Sequence, residues 1–416
     1  MLNNYVPSFL THKSKLKIML GILLLLIVIL VGFSMVYRAA WGPIDRTDFT
    51  VFKAAGQALL DGSSIYEAKN SRGWYYVYPP PFAILMMPFA KMSVALGALI
   101  WYLLEVTSLY FASKMIISLI KPLTISPINN NRHFFLYALS ISLALPVMVS
   151  GAMRGQTSAF VILLIVASFY FCTKQRHLLS GATLAAAALV KVIPITLLIY
   201  FIVKRQWKVL QATIFAIIIL GVALPSTIIG WNNTKQLYVE WVNVVIKPAM
   251  HTDEAATHAS KLYDELRIEK SRNQSLQSLM VTIGMPNKAA GLAARLAGAI
   301  MLLTMLWLSI KPLNAKGDLA LMAAYIAWYL VIPPISQNHY FGIIFFPIAV
   351  ILFSLNSCST KKAFNLLIAF VITAALAIIL ASIREVSLYR PMTLFTLLMW
   401  LMLISIIKRS KSDNLV

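Results

Sequence analysis

Two aspartates lie close together in a chain that has few acids. Asp45 and Asp48 follow the first long apolar run, and the chain has 14 Asp and Glu residues against 36 Lys and Arg. A carboxylate within hydrogen-bond reach of an attacking hydroxyl can take its proton as a general base. The alternative is structural, because an aspartate near a helix start is commonly an N-cap. On residue types alone both roles stay open, with Asp48 the candidate catalytic residue and Asp45 a candidate for substrate binding.

Three residues that can carry positive charge lie beside apolar or proline-containing segments. Lys191 precedes a proline by three positions inside an apolar stretch, Arg154 lies in the polar turn 151–157, and His339 follows a pair of prolines. A lysine at membrane depth is costly unless it lines a cavity. The alternatives are an interfacial, snorkelling Arg154 and a core position for His339. Cations around one cavity suit a phosphate group, and we predict phosphate binding by all three.

The polar and aromatic residues of the same loops are candidates for substrate contacts. Tyr76 and Tyr78 precede a run of prolines, and they either belong to an interfacial aromatic belt or form the rim of a sugar or lipid site. Asn273 and Gln274 begin an N-x-S pattern that is frequent by chance, and their amides can bind a substrate instead. We assign substrate binding to these four residues and to Gln156, and we find no metal-ligand spacing.

Composition places the elements that carry these residues in a membrane. The chain is 60% hydrophobic and 12% charged, whereas soluble domains are nearer a quarter charged. It has many apolar runs of the ~20 residues that cross a hydrocarbon core. The net charge of +22 comes from short basic clusters between these runs, as the positive-inside rule expects. We therefore predict an all-α polytopic membrane protein without a nucleic-acid partner.

The stretch 178–203 does not fit a single span. It is apolar, yet basic clusters flank it at both ends, and Lys191 with the nearby proline lies in its middle. Proline disfavours a helix interior, and broken helices are tolerated at membrane depth where they line protein or water. We predict a re-entrant helix pair with Lys191 at its tip.

The remaining runs then give about ten full spans in one domain, 1–416, with both termini cytoplasmic. Two extracytoplasmic loops, about 39–91 and about 230–288, are predicted to carry juxtamembrane helices. One of these is predicted over Asp48 to Leu60, which the Asp-Gly pair at 61–62 ends. The candidate residues named above then all reach the extracytoplasmic face, with Lys191 approaching it from within the membrane.

A series of short motifs resembles glycosyltransferase family 87, and the matches follow one order along most of the chain. They are Asp48-Phe49-x-x-Phe52, Tyr76-x-Tyr78-Pro79-Pro80, Gly155-Gln156, Lys191-Val-Ile-Pro194, Asn273-Gln-Ser-Leu276 and Pro334-Ile-Ser-x-x-His339-Tyr340. Each motif is weak alone, and the ordered set is more specific.

The resemblance implies a GT-C fold and an inverting transfer of a hexose, most often mannose, from a polyprenyl-phosphate donor. It matches Asp48 to the family's catalytic aspartate, and Lys191 and His339 to positions near the donor phosphate. The expected partners are this donor, a lipid or glycan acceptor with a free hydroxyl, and membrane lipids. No cofactor is required, although a divalent metal stays open, and the expected location is the bacterial inner membrane. The alternative function is a transporter or flippase for an anionic or lipid-linked substrate.

Overall fold

The protein is described from a computed structural model that covers residues 8–124, 130–247, 273–310, 312–357 and 360–412. Within these ranges the regular structure is helical, and the β pairing consists of two isolated bridges, Lys69 with Tyr75 and Asn273 with Gln337. The prediction of an all-α polytopic protein is confirmed.

Ten helices of the described chain precede residue 230, and most are separated by short connections. They are α1 (Ser8–Ala40), α2 (Asp48–Leu60), α3 (Pro80–Ala90), α4 (Val94–Ile120), α5 (Asn130–Ala152), α6 (Ser158–Thr173), α7 (His177–Val190), α8 (Leu198–Val203), α9 (Trp207–Ile217) and α10 (Leu224–Ile229). A 3-10 helix, Ile193–Leu197, leads into α8, and a π-helical stretch, Ile218–Ala223, joins α9 to α10.

The second half continues the same pattern of long apolar helices. In its described ranges the helices are α11 (Trp231–Trp241), α12 (Leu276–Thr282), α13 (Asn287–Ser309), α14 (Ala315–Val331), α15 (Phe345–Asn356), α16 (Lys361–Ser382), α17 (Arg384–Ser387) and α18 (Pro391–Ser412). A 3-10 helix, Asn338–Ile344, leads into α15.

Eight helical stretches of the described chain are long and apolar enough to cross a membrane. They are Gly21–Ala40, Val94–Leu123, His133–Ala152, Trp207–Ile229, Asn287–Ser309, Asn338–Asn356, Lys361–Ser382 and Pro391–Ser410. The predicted spans α6 and α14 have 16 and 17 residues, close to the lower limit for a ~30 Å core. The number of full spans, about ten, stays a prediction.

The surface of the long helices is apolar, as lipid contact requires. On α1, Leu26, Leu30 and Phe33 are all at least half exposed. Inside the bundle, helices approach closely through small residues. A Cβ on Gly181 of α7 would lie 2.5 Å from the Cβ of Ala212 on α9, so a larger side chain there would push the two helices apart.

The break predicted in 178–203 is present at Lys191. Helix α7 ends at Val190, Lys191 is extended (φ −150°, ψ 121°), and α8 follows after the 3-10 helix. The chain then returns toward the end of α6, because the Phe169 ring lies 5.1 Å from that of Tyr200. With 14 residues, α7 carries Lys191 ~21 Å from the turn that begins the hairpin.

The loops separate into two groups at opposite ends of the helices. At one end, Lys204 forms an ion pair with Asp318 (2.7 Å), and Asn314 Nδ2 donates to the Ser410 carbonyl. These are loops for which the sequence predicts a cytoplasmic location. The loops predicted to be extracytoplasmic meet at the other end, where the Asp48 N–H donates to the Arg154 carbonyl (2.7 Å).

The two predicted loops contain helices. The helix predicted over Asp48–Leu60 is confirmed with the same bounds as α2. Helix α3 was not predicted. It begins at Pro80. Proline is favoured in the first turn of a helix, where a backbone N–H has no partner within the helix and its loss costs nothing. In the loop 230–288, α11 and α12 are described, whereas the polar segment 251–272 lies outside the described residues.

Candidate active site

Asp48 is the first residue of α2, and hydrogen bonds hold the backbone at and just before it. Its N–H donates to the Arg154 carbonyl at 2.7 Å. The preceding residue, Thr47, accepts hydrogen bonds at its carbonyl from Thr50 Oγ1 (2.8 Å) and Asn70 Nδ2 (3.3 Å). These hydrogen bonds hold the backbone from which the Asp48 carboxyl group extends, at the N-terminus of α2.

The turn between α5 and α6 brings Gln156 to this carboxylate. Gly155 has φ +60°, and a Cβ there would lie 2.7 Å from Met35 Cε and 2.9 Å from Phe49 Cβ, so both conformation and packing favour glycine. Gln156, buried, donates from Nε2 to Asp48 Oδ2. Its Oε1 accepts a hydrogen bond from the Tyr78 hydroxyl at 3.4 Å.

Lys191 reaches the same place from the broken hairpin. Its Nζ lies 3.6 Å from the centroid of the Tyr340 ring and 5.8 Å from that of Tyr78, which is the geometry of a cation–π contact. The Nζ is buried and has no hydrogen-bond partner among the described residues. A buried ammonium without an acceptor carries unused capacity for an anion.

His339 completes the group from the start of the 3-10 helix Asn338–Ile344. Its side chain is 3% exposed, and its ring lies 4.6 Å from the Tyr340 ring at 84°. The charges of Lys191 and Arg154 both act on the imidazole. We call Asp48, Tyr78, Gln156, Lys191 and His339 the site cluster.

Electrostatics in the site cluster suit proton transfer near neutral pH. Burial raises the pKa of Asp48 from 3.8 to about 6, while Arg154, Lys191 and Arg72 act in the opposite direction. A base whose pKa lies near the working pH combines a useful ionised fraction with a driving force for proton transfer. Asp48 is ionised at pH 7 and can still hold a proton that it receives.

Comparison with known proteins identifies the family. The family model described as glycosyltransferase family 87 matches residues 76–336, more than half of the chain. The chain belongs to glycosyltransferase family 87. The suspected resemblance is thereby confirmed, and this membrane protein is a glycosyltransferase. Asp48 and His339 lie outside the matched residues, so their roles depend on the geometry described above.

Two curated relatives of this family 87 chain are mannosyltransferases by name. The polyprenol-phosphate-mannose-dependent alpha-(1-2)-phosphatidylinositol mannoside mannosyltransferase of Mycolicibacterium smegmatis is 21% identical over 336 residues, covering 75% of this chain and 70% of the relative. GPI mannosyltransferase 1 of Dictyostelium discoideum is 24% identical over 148 residues, covering 36% of this chain and 31% of the relative.

One solved structure also aligns with the chain. It is the crystal structure of ArnT from Cupriavidus metallidurans bound to undecaprenyl phosphate. The TM-score is 0.40 with 10% identity, covering 95% of this chain and 78% of that one.

Two predicted substrate-binding residues of the first loop of this family 87 enzyme lie outside the site cluster. The Asp45 N–H donates to Ser71 Oγ (3.0 Å), and Asp45 Oδ2 accepts from the Ser71 N–H (3.3 Å), which closes the turn after residue 69. Tyr76 is fully buried, and its hydroxyl donates to the Pro79 carbonyl at 2.9 Å. Both side chains support the loop in this conformation, and their substrate-binding roles stay predictions.

Asn273 and Gln274 also bond within the protein. Asn273 Nδ2 donates to the Pro334 carbonyl (2.8 Å), and its Oδ1 accepts from the Ser336 N–H (2.9 Å). Gln274 Nε2 donates to the Ser387 carbonyl (3.1 Å), and its Oε1 accepts from the Met392 N–H (3.3 Å). The segment 273–275 thus ties the loop before His339 to the start of α18.

Two residues of α4 beside the site cluster were not predicted. Trp101 packs its ring against Phe49 and Phe52 of α2, and its Nε1 donates to both the Gly155 carbonyl and Glu105 Oε1 at 3.1 Å. The sequence contains a signal for Glu105, because it is an acid inside an apolar helix of 27 residues. In the described chain, no group of three or more His, Cys, Asp or Glu residues could hold a metal ion.

Proposed function

We propose that this family 87 enzyme transfers a mannosyl residue, with inversion, from a polyprenyl-phosphate donor to a hydroxyl of a lipid or glycan acceptor. The observation that carries the proposal is the meeting of a carboxylate from α2 with a buried ammonium at the tip of the α7–α8 hairpin. This reaction requires a base and an anion-binding cation in one site, and the charge of Lys191 acts on the Asp48 carboxyl. The printed name of the Mycolicibacterium smegmatis relative supports mannose and a polyprenol-phosphate donor.

Asp48 is the general base of the proposed reaction. The acceptor oxygen forms a bond to the anomeric carbon while its proton passes to an Asp48 carboxylate oxygen. The bond between the anomeric carbon and the phosphate oxygen breaks, and its electron pair leaves with the lipid phosphate. Gln156 holds one carboxylate oxygen through its amide, which orients the carboxylate toward the acceptor.

Lys191, Arg154 and His339 are assigned to the departing phosphate. Its negative charge grows as the glycosidic bond breaks. Fixed cations and N–H donors in a buried site stabilise that charge more in the transition state than in the ground state. Lys191 contributes most in this proposal, because its ammonium is buried and has no acceptor among the described residues. This charge stabilisation lets the proposed reaction proceed without a metal, so removing divalent ions with EDTA is expected to leave the rate unchanged.

We further propose that the reaction takes place on the extracytoplasmic side of the bacterial inner membrane, with both chain termini cytoplasmic. The loops rich in lysine and arginine lie at the end opposite the site cluster, and such loops are retained in the cytoplasm. The family assignment also favours transfer chemistry over the alternative of a transporter or flippase.

Transfer of labelled sugar by the purified protein tests the proposal. The reconstituted enzyme is given polyprenyl-phosphate mannose carrying radiolabelled mannose, with phosphatidylinositol mannoside or a membrane lipid extract as acceptor. Wild type is expected to transfer label, and Asp48→Asn to lose about 10²- to 10⁴-fold in kcat, the usual contribution of a general base. Asp61→Asn is the matched control and is expected to retain most activity, because Asp61 follows the opposite end of α2, where its carboxylate accepts a hydrogen bond from Gln57.

Two results would refute this assignment. Equal turnover by wild type and Asp48→Asn would remove Asp48 from the base role. Transfer from a nucleotide sugar but from no polyprenyl-phosphate sugar would exclude the proposed donor class. Donors carrying glucose or galactose in place of mannose determine the sugar in the same assay.

A further inference from the structure

Glu105 is a buried acid in a membrane-spanning helix, and the chemistry described above does not use it. It lies in α4, is 1% exposed, and accepts one hydrogen bond, from Trp101 Nε1 at 3.1 Å to Oε1. Its other oxygen, Oε2, is buried and has no hydrogen-bond partner in the described parts of the chain. An acid at membrane depth is expensive, which makes a function the default expectation.

A small cavity connects Glu105 to the site cluster. The cavity has a volume of about 10 Å³ for the centre of a water-sized sphere, which is room for about one water. It lies between α4, α5, α6 and the 3-10 helix that carries His339. Glu105, Ser158, Gln156 and His339 are the polar residues of its wall. Ser158 Oγ, like Glu105 Oε2, is buried without a partner among the described residues. A polar cavity of this kind can hold an ordered water that bridges such groups.

A second connection runs through Trp101. Its Nε1 is shared between Glu105 Oε1 and the Gly155 carbonyl, each at 3.1 Å. Gly155 directly precedes Gln156, whose amide holds Asp48. The Gly155 carbonyl still accepts from Trp101 Nε1 when Glu105 is replaced, so this turn is expected to keep its conformation in Glu105 variants.

The surroundings of Glu105 favour its neutral form. Neither lysine nor arginine lines this cavity within the described chain, and an unpaired carboxylate in an apolar interior is strongly disfavoured. A neutral carboxylic acid has one O–H donor. With Oε1 accepting from Trp101, the donor is on Oε2, the oxygen that has no protein partner.

We propose that Glu105 is a neutral acid that positions His339 for the donor phosphate. Its O–H donates, directly or through one water in the cavity, to one nitrogen of the imidazole. A neutral imidazole that accepts at one nitrogen carries its proton on the other. That second N–H then faces the site cluster as a donor to the phosphate. This role rests on the function proposed above, and Glu105 itself does not touch substrate.

Paired substitutions at Glu105 test the role. Glu105→Leu removes the donor and is expected to lower kcat by about 10- to 100-fold, the size found for hydrogen-bond partners that orient metal-bound histidines. Glu105→Gln is expected to restore most of that loss, because its amide both donates and accepts. Leu109→Ala enlarges the same cavity without removing a polar group, and it is expected to lower thermal stability with little change in kcat.

A double substitution separates positioning from packing. Once His339 is replaced by alanine, adding Glu105→Leu should lower kcat by no more than about twofold further, because the two residues act as one unit. Losses that multiply would overturn the proposal and leave Glu105 a packing residue. The proposal would also be overturned if Glu105→Gln did not restore activity, because a neutral amide can donate the same hydrogen bond as a neutral carboxylic acid.

Two readouts keep the inference separate from the proposed function. The infrared spectrum of wild type should contain a protonated-carboxyl band that Glu105→Gln lacks, and an ionised Glu105 would refute the neutral acid. If wild type transfers no sugar from any donor, the proposed function fails. In that case the affinity of each variant for a polyprenyl phosphate is measured instead of kcat. Glu105→Leu should weaken binding, Glu105→Gln should restore it, and losses that multiply in the double variant with His339→Ala would refute the inference.

Discussion

The site cluster and the segment 273–275 each contain a buried glutamine and lie at the same end of the molecule. They differ in how much of their hydrogen-bonding capacity is already used. In the segment, Gln274 is satisfied at both ends of its amide by Ser387 and Met392. In the site cluster, Lys191 Nζ is buried with no acceptor among the described residues. The segment therefore links two loops through hydrogen bonds, whereas the site cluster has unused donors that can bind an anion.

The difference gives a physical criterion for separating a binding residue from a structural one. A buried polar group without a partner costs free energy in the unliganded protein, and such a cost persists where a ligand provides the compensation. We propose on this basis that Gln274 and Asn273 support the fold, and that the site cluster binds substrate through Lys191. The amide of Gln156 is also bonded at both ends, and this residue acts by holding Asp48. Substitutions in the two regions should then affect different quantities.

Lys191→Met should produce the largest effect on catalysis of the substitutions that separate the two regions. Removing a charge that stabilises the departing phosphate is expected to lower kcat by about 10²- to 10³-fold. Stability should hold or rise, because a buried ammonium without an acceptor is replaced by an apolar side chain of similar length. The measurements are sugar transfer from polyprenyl-phosphate mannose and the thermal unfolding midpoint in the same detergent.

Lys53→Met is the matched control for the loss of a lysine at this end of the molecule. Lys53 Nζ donates to the Ala90 carbonyl at 2.7 Å and makes no described contact with the site cluster. Its substitution should leave kcat within about threefold of wild type. If Lys191→Met were as active as this control, the capacity for an anion at Lys191 would have no catalytic meaning.

Gln274→Ala should show the opposite pattern. It leaves the buried Met392 N–H without its acceptor and removes the bond to Ser387, which is expected to cost about 2 kcal/mol of stability. The folded fraction should keep a kcat close to that of wild type. A large loss of kcat at unchanged stability would show that Gln274 binds substrate, and the two regions would then not differ in the way described.

The sequence predicted the helices more completely than it predicted the contacts of their side chains. The bounds of α2 and the break at Lys191 followed from local signals, namely a turn pair after Leu60 and a proline inside an apolar run. Whether an amide faces a substrate or a backbone carbonyl depends on tertiary contacts, such as that between Gln274 and Ser387, and no local pattern encodes it. Glu105 did leave a signal, an acid within an apolar helix, and its importance came from the cavity it shares with His339.

The next smaller effect is the pH dependence of sugar transfer. It should depend on residues of the site cluster and not on the segment 273–275. Burial raises the pKa of Asp48 to about 6, and the base acts only when ionised. The rate should therefore fall as pH decreases through about 6, by about tenfold per unit below it. Gln274→Ala should keep the same acid limb, because its side chain does not reach Asp48.

The same shift predicts a change of stability with the opposite sign. A carboxyl whose pKa is higher in the folded than in the unfolded protein favours folding while it is protonated. Its contribution is fully present below 3.8 and is lost as pH rises through about 6. Asp48→Asn should therefore unfold at a higher temperature than wild type above pH 6, and this advantage should disappear in acid.

Arg72→Met provides the smallest and most specific test of this electrostatic account. Arg72 lowers the pKa of Asp48, although less than Arg154 and Lys191 do, and its guanidinium lies 4.5 Å from the Trp74 ring, outside the site cluster. Its removal should shift the acid limb upward by roughly a few tenths of a pH unit with no change in the plateau rate. High salt should shrink the shift, because an exposed charge is screened. An acid limb that ignored both Arg72 and salt would assign the titration to a group other than Asp48, because the field of Arg72 reaches that carboxyl.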